Sequence, residues 1–124
     1  MPEKMILICP WLDACPDDPD QPGIELRDPI LTIRGIREAG EMYAGAAGTI
    51  DSRVSPIHAD WSGLPPILAF GGSDDILVVD SRALGAKLSS VEYIEGSGLM
   101  HDWPIFGFPE SRAAQARMAR FAAA

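Results

Sequence analysis

The chain has 124 residues, 47% apolar and 23% charged, the balance of one globular domain and not of a disordered or fibrous chain. Its net charge of −8, with ten Lys and Arg scattered in no run, argues against a nucleic-acid partner, whose phosphates demand basic neutralisation. No apolar run approaches a membrane span, and Met1–Pro2–Glu3–Lys4 with Met5–Cys9 is too short for a signal peptide, so the expected compartment is the cytoplasm.

Lys4–Cys9, apolar and bounded by Pro2 and Pro10, is expected to be a strand buried on both faces. Pro10–Asp28, rich in Pro and Asp without periodicity, reads as a long loop. Leu31–Ala44 places Ile33, Ile36, Arg37, Met42 and Tyr43 at helical intervals, with Thr32 as N-cap and Gly45 as terminator. Gly45–Pro66 reads as loop again. Ile67–Phe70, ended by Gly71–Gly72, is a second buried strand, and Asp80–Leu88 a helix with Ala83, Leu84 and Leu88 on one face. Val91–Ile94, closed by Gly96–Ser97–Gly98, is a third strand. Pro109 opens a last helix, Glu110–Ala124, whose buried stripe is Ala114, Met118 and Phe121.

Strands alternating with helices predict an α/β fold: a short, mostly parallel sheet of about three strands with flanking helices. In such sheets, sites form where loops leave the carboxyl ends of strands. The second strand delivers Gly72–Ser73–Asp74–Asp75, and the third delivers Met100–His101–Asp102–Trp103. A carboxylate and a histidine leaving neighbouring strands can meet at one edge. There the carboxylate fixes the imidazole tautomer and leaves Nε2 free as a general base.

Four segments in order carry a resemblance. Cys9–Pro10–Trp11–Leu12–Asp13 is similar to the "SPWLD" segment of the hormone-sensitive-lipase-type α/β-hydrolases. Val54–Ser55–Pro56 with Gly63–Leu64–Pro65–Pro66 resembles that family's "VSP…GLPP" approach to the acid-bearing strand. Gly72–Ser73–Asp74–Asp75–Ile76–Leu77 with Asp80 looks like its acid loop, and Met100–His101–Asp102–Trp103–Pro104 like its histidine loop. The resemblance implies the C-terminal part of an α/β-hydrolase fold over residues 1–124, with an esterase or lipase activity of the intact enzyme on small acyl esters. It makes Asp75 the triad acid, with Asp74 one residue away as the alternative, and His101 the base. It implies no cofactor and no metal.

The sequence departs from that family in two places. The nucleophile elbow G-x-S-x-G occurs nowhere, Ser97 standing in Gly96–Ser97–Gly98 with the wrong spacing. The "HGGG" oxyanion loop is also lacking, since neither His58 nor His101 precedes glycines. The expectation is therefore a partial hydrolase, inactive alone, whose partner is the missing N-terminal half. The rival is a hydrolase-derived interaction module that dimerises through an exposed sheet edge near Ile6, Leu7 and Ile8.

Other residues have plainer readings. Cys9 and Cys15 are free thiols, Cys9 inside the first strand. Asp17, Asp18 and Asp20 lack the glycine and glutamate of a calcium loop. His58 with Asp60 lacks a third metal ligand. Asp80 is expected to cap a helix, Asp13 and Trp11 to support the first loop or line the pocket, and Asp102 and Trp103 to pack it. Tyr43, Phe70, Phe106 and Phe108 are expected in the core or an interface.

Overall fold

Three apolar runs assemble the sheet in the computed structural model, which describes residues 2–124. Strands β1 (Met5–Ile8), β2 (Ile67–Gly72) and β3 (Val91–Gly96) lie in the order β1-β2-β3 with both pairings parallel. Met5 pairs with Ile67 and Ile67 with Val91, so all three strands point their carboxyl ends at one edge. Every residue of β2 is buried, because it has a strand on either side and a layer on either face.

Helix α1 (Gln21–Glu25) and α2 (Ile33–Ala44) lie between β1 and β2, α3 (Val78–Lys87) between β2 and β3, and α4 (Pro109–Ala123) after β3. Alternation along the strands divides the core into two layers. Ile6, Ile8, Leu68, Phe70 and Ile94 face Trp103 and the α4 residues Ala114, Met118 and Phe121. Met5, Leu7, Ile67, Ala69 and Tyr93 face Leu84 of α3, with Leu12 and Trp61. A third cluster packs Ile24 of α1 and Ile36 of α2 against Ile76, Leu77 and Val78. It joins the long first crossover to the turn that follows β2.

Several expectations need correcting. Pro10–Asp28 is not all loop: Pro22 sits in the first turn of α1, where its missing N–H costs nothing, and Ile24 is buried against the third cluster. That short helix has a single apolar anchor, too little for a periodic signal. Helix α3 starts at Val78, two residues before Asp80, because the turn carrying Asp74 and Asp75 leads straight into it. Met42 and Tyr43 are 84% and 74% exposed, so the buried face of α2 runs instead through Ile36, Gly40 and Ala44. Gly40 lets that face approach the first loop, since a Cβ there would stand 2.5 Å from the Ala14 carbonyl oxygen. Phe106 is exposed as well, whereas Phe70 lies in the core and Phe108 packs against it. Thr32 caps α2 as expected, its side chain accepting from the Gly35 N–H.

Candidate active site

The turn after β2 and the loop after β3 leave the same sheet edge and are laced together. Ser73 N–H donates to the Gly96 carbonyl, Asp74 N–H to the Leu99 carbonyl, and Gly98 N–H to the Ser73 hydroxyl. Gly72 makes the close approach possible, because a Cβ on it would lie 2.3 Å from the Leu99 carbonyl oxygen. Trp103, buried against Phe70 in an edge-to-face pair, donates its indole N–H to the Gly71 carbonyl and draws the second loop back onto β2.

Within this lacing, His101 Nδ1 stands 2.9 Å from Asp75 Oδ2. A carboxylate oxygen accepts, so the tautomer with its proton on Nδ1 makes this hydrogen bond and leaves the Nε2 lone pair free. Asp75 is fully buried, and its other oxygen accepts from the Leu77 N–H. His101 keeps a partly open side chain, and its Nε2 lies 3.4 Å from Asp102 Oδ2. The Asp75 hydrogen bond is the main force that raises the His101 pKa, while burial pulls the other way. Asp74 is placed differently: its carboxylate takes Arg27 Nε at 3.0 Å on the outside of the turn. It is therefore Asp75, not its neighbour, that meets the imidazole.

The first crossover buttresses the turn from below. Gln21 donates to the Ile76 carbonyl, and Asp28 accepts from the Ile76 N–H. Asp80, expected as a helix cap, instead lies inside the first turn of α3 and reaches across to the loop after β1. Its Oδ2 accepts from the backbone N–H groups of Leu12 and Asp13, at 2.7 and 2.9 Å. Burial pushes its pKa up to about 6 despite those two donors. Asp13 supports the same loop by accepting from the Cys15 N–H, while Trp11 is partly exposed and donates to the Asp13 carbonyl. His58 faces Asp13 at 3.5 Å and not Asp60, whose oxygens are taken by Ser62. Asp17 pairs with Arg37, and Asp18 accepts from the Asp20 N–H.

The sequence places Cys9 in the first strand and gives it no part in this site, yet the structure brings it there. It is buried, but it sits one residue past β1 with φ of 44°, a left-handed conformation that L-residues other than Asn and Asp rarely adopt. That backbone twist belongs with a third strand end turned toward the other two. Donor atoms of Cys9, Asp75 and His101 all lie within 4.8 Å of one another. Burial first, then the carboxylates of Asp75 and Asp102, push the thiol up to about 12 against the opposing Asp102 N–H. It is thus protonated at neutral pH, which is the wrong state for a nucleophile. The sequence held one signal for this position: a cysteine stands where the resembled segment has serine.

A family model described as an alpha/beta hydrolase fold matches residues 1–105. The chain belongs to the α/β-hydrolase fold family. Among curated relatives, a Mycobacterium tuberculosis protein named as an acetyl-hydrolase, LipR, is 34% identical over 91% of this chain and 38% of its own length. An esterase of Acinetobacter venetianus is 31% identical over 98% of the chain and 43% of its own. A crystal structure of an esterase from the bacterial hormone-sensitive lipase family superposes with a TM-score of 0.92 at 25% identity, covering 98% of this chain and 43% of that one. The chain thus spans about two fifths of the length of these relatives, and its three parallel strands correspond to the C-terminal part of the α/β-hydrolase fold. The hormone-sensitive-lipase likeness read from the four sequence segments therefore stands. No described helix is long and apolar enough to cross a membrane.

Proposed function

We propose that this chain supplies the acid and the base of a Ser–His–Asp triad for the hydrolysis of small carboxylic esters. The serine and the oxyanion donors come from outside the 124 residues. The observation that carries this reading is the 2.9 Å contact between His101 Nδ1 and the buried Asp75 carboxylate at a shared strand edge. Acting on a bound ester, Nε2 of His101 takes the serine proton as the hydroxyl attacks the carbonyl. Asp75 holds the ring and stabilises the imidazolium, and the same proton then passes to the departing alcohol. Alone, the chain is inactive, because a base without a nucleophile or oxyanion donors gives no acyl transfer.

The test is complementation. The purified chain is mixed with, and separately fused to, the part of the Acinetobacter venetianus esterase that lies before its matched region. Hydrolysis of p-nitrophenyl acetate is expected only from the combination, with His101→Ala lowering it by about 10⁶-fold. A folded fusion with no activity, or one indifferent to His101→Ala, would remove the proposal.

One observation favours a second reading. β1 is paired on one side alone among the described residues, and Ile6, Leu7 and Ile8 remain only half-buried. A half-sheet with such an edge could serve as a module that pairs with a second copy of itself.

A further inference from the structure

The geometry points to a binding site for a thiophilic divalent cation of the zinc class, formed by Cys9 Sγ, an Asp75 oxygen and a ring nitrogen of His101. These three groups leave three successive strand ends, and their donor atoms lie within 4.8 Å of one another. Cys9 and Asp75 are buried and His101 is partly open, so this is not a cluster of solvated surface acids. The inference stands on that juxtaposition and is independent of the ester-hydrolysis reading.

A sulfur, a nitrogen and an oxygen donor around one centre are a zinc-type set; magnesium and calcium prefer oxygen alone. With bonds of about 2.3 Å to sulfur and about 2.0 Å to nitrogen and oxygen, donors in a tetrahedral site stand roughly 3.3 to 3.6 Å apart. The Nδ1–Oδ2 separation of 2.9 Å must open by a few tenths of an ångström, and the thiol, within 4.8 Å of both partners, must stand at that spacing. The cation takes the place of the Nδ1 proton, which is carried instead on Nε2 beside Asp102 Oδ2, and it displaces the thiol proton to solvent. The fourth position is left for water on the open side of His101. Asp75 Oδ1 stays bonded to the Leu77 N–H, which holds the carboxylate in place as an outer partner does in built metal sites. Metal here occupies the very atoms that would orient His101, so its effect on any chemistry of the dyad is inhibition.

The experiment uses the purified chain with Zn²⁺, Co²⁺ and Mg²⁺. The expected result is one equivalent of Zn²⁺ bound, no response to Mg²⁺, and a thiolate-to-cobalt charge-transfer band in the near ultraviolet. Cys9→Ala and His101→Ala should each weaken Zn²⁺ binding by at least about tenfold. Cys15→Ser, altering the partly buried thiol that donates to Asp17, should leave both readouts unchanged. The cobalt band of the unmodified chain tests sulfur ligation even if a variant fails to fold. Absence of Zn²⁺ binding, cobalt bound without that band, or loss of the band in Cys15→Ser would each overturn the proposal.

Discussion

At the scale of single residues, the site is governed by which protonation state each partner favours. The Asp75 hydrogen bond raises the His101 pKa above its ordinary value near 6.5. A group whose folded pKa is raised contributes its stability in full below the unfolded value and loses it as pH climbs through the folded one. The dyad should therefore stabilise the chain in mildly acid solution and release that contribution as the imidazole becomes neutral. In a complemented hydrolase the same shift moves the rise in rate to higher pH, since only neutral imidazole can take the serine proton. Titration of the His101 ring protons by NMR should show a midpoint above 6.5 that drops in Asp75→Asn. A midpoint that ignores this substitution would mean that the two groups do not interact in solution.

At the scale of elements, the two site loops are held by backbone, not by side-chain packing alone. Gly72 is the position where this can be broken with one atom: a Cβ has nowhere to go against the Leu99 and Met100 carbonyls. Neither carbonyl belongs to a flexible side chain, so the histidine loop itself must move. Gly72→Ala is expected to cost about 2 kcal/mol or more in denaturant unfolding, and to shift the His101 ring signals toward those of Asp75→Asn. A variant as stable as the parent, with unchanged signals, would show that the loops are not interlocked there. Asp80 performs the matching task on the far side. By tying the loop after β1 to the first turn of α3, it steadies the strand end that carries Cys9.

At the scale of the molecule, the side of β1 that has no strand beside it among the described residues is the feature that asks for a partner. Relatives continue where this chain does not, covering more than twice its length. An edge strand with free backbone groups and half-buried Ile6, Leu7 and Ile8 is costly to leave in water. Light scattering of the purified chain separates the outcomes. A sharp dimer mass supports self-pairing through β1, and a lysine placed at Leu7 should split it into monomers. Ill-defined association that clears when the complementary esterase segment is added supports the split-hydrolase reading instead.

Much of this was legible from the chain alone. Continuous apolar runs, helix starts at Thr32 and Pro109, and the order of the acid and histidine loops all follow from local pattern, which needs no knowledge of distant contacts. The likeness to hormone-sensitive-lipase-type hydrolases was also carried by short segments in order. The tertiary structure decided what depends on register and on cross-chain approach. It turned the Asp75 carboxylate toward His101 and that of Asp74 toward Arg27, because which of two adjacent side chains points inward is set by how the turn docks on the neighbouring loop. It turned Asp80 from a cap into a brace, and exposed Tyr43 and Met42 where a small rotation of α2 put Gly40 against Ala14. It also brought Cys9 to the dyad, through a left-handed backbone turn that no periodicity announces. Pattern along a chain reports which residues seek burial; which of them meet is determined by the strands that hold them side by side.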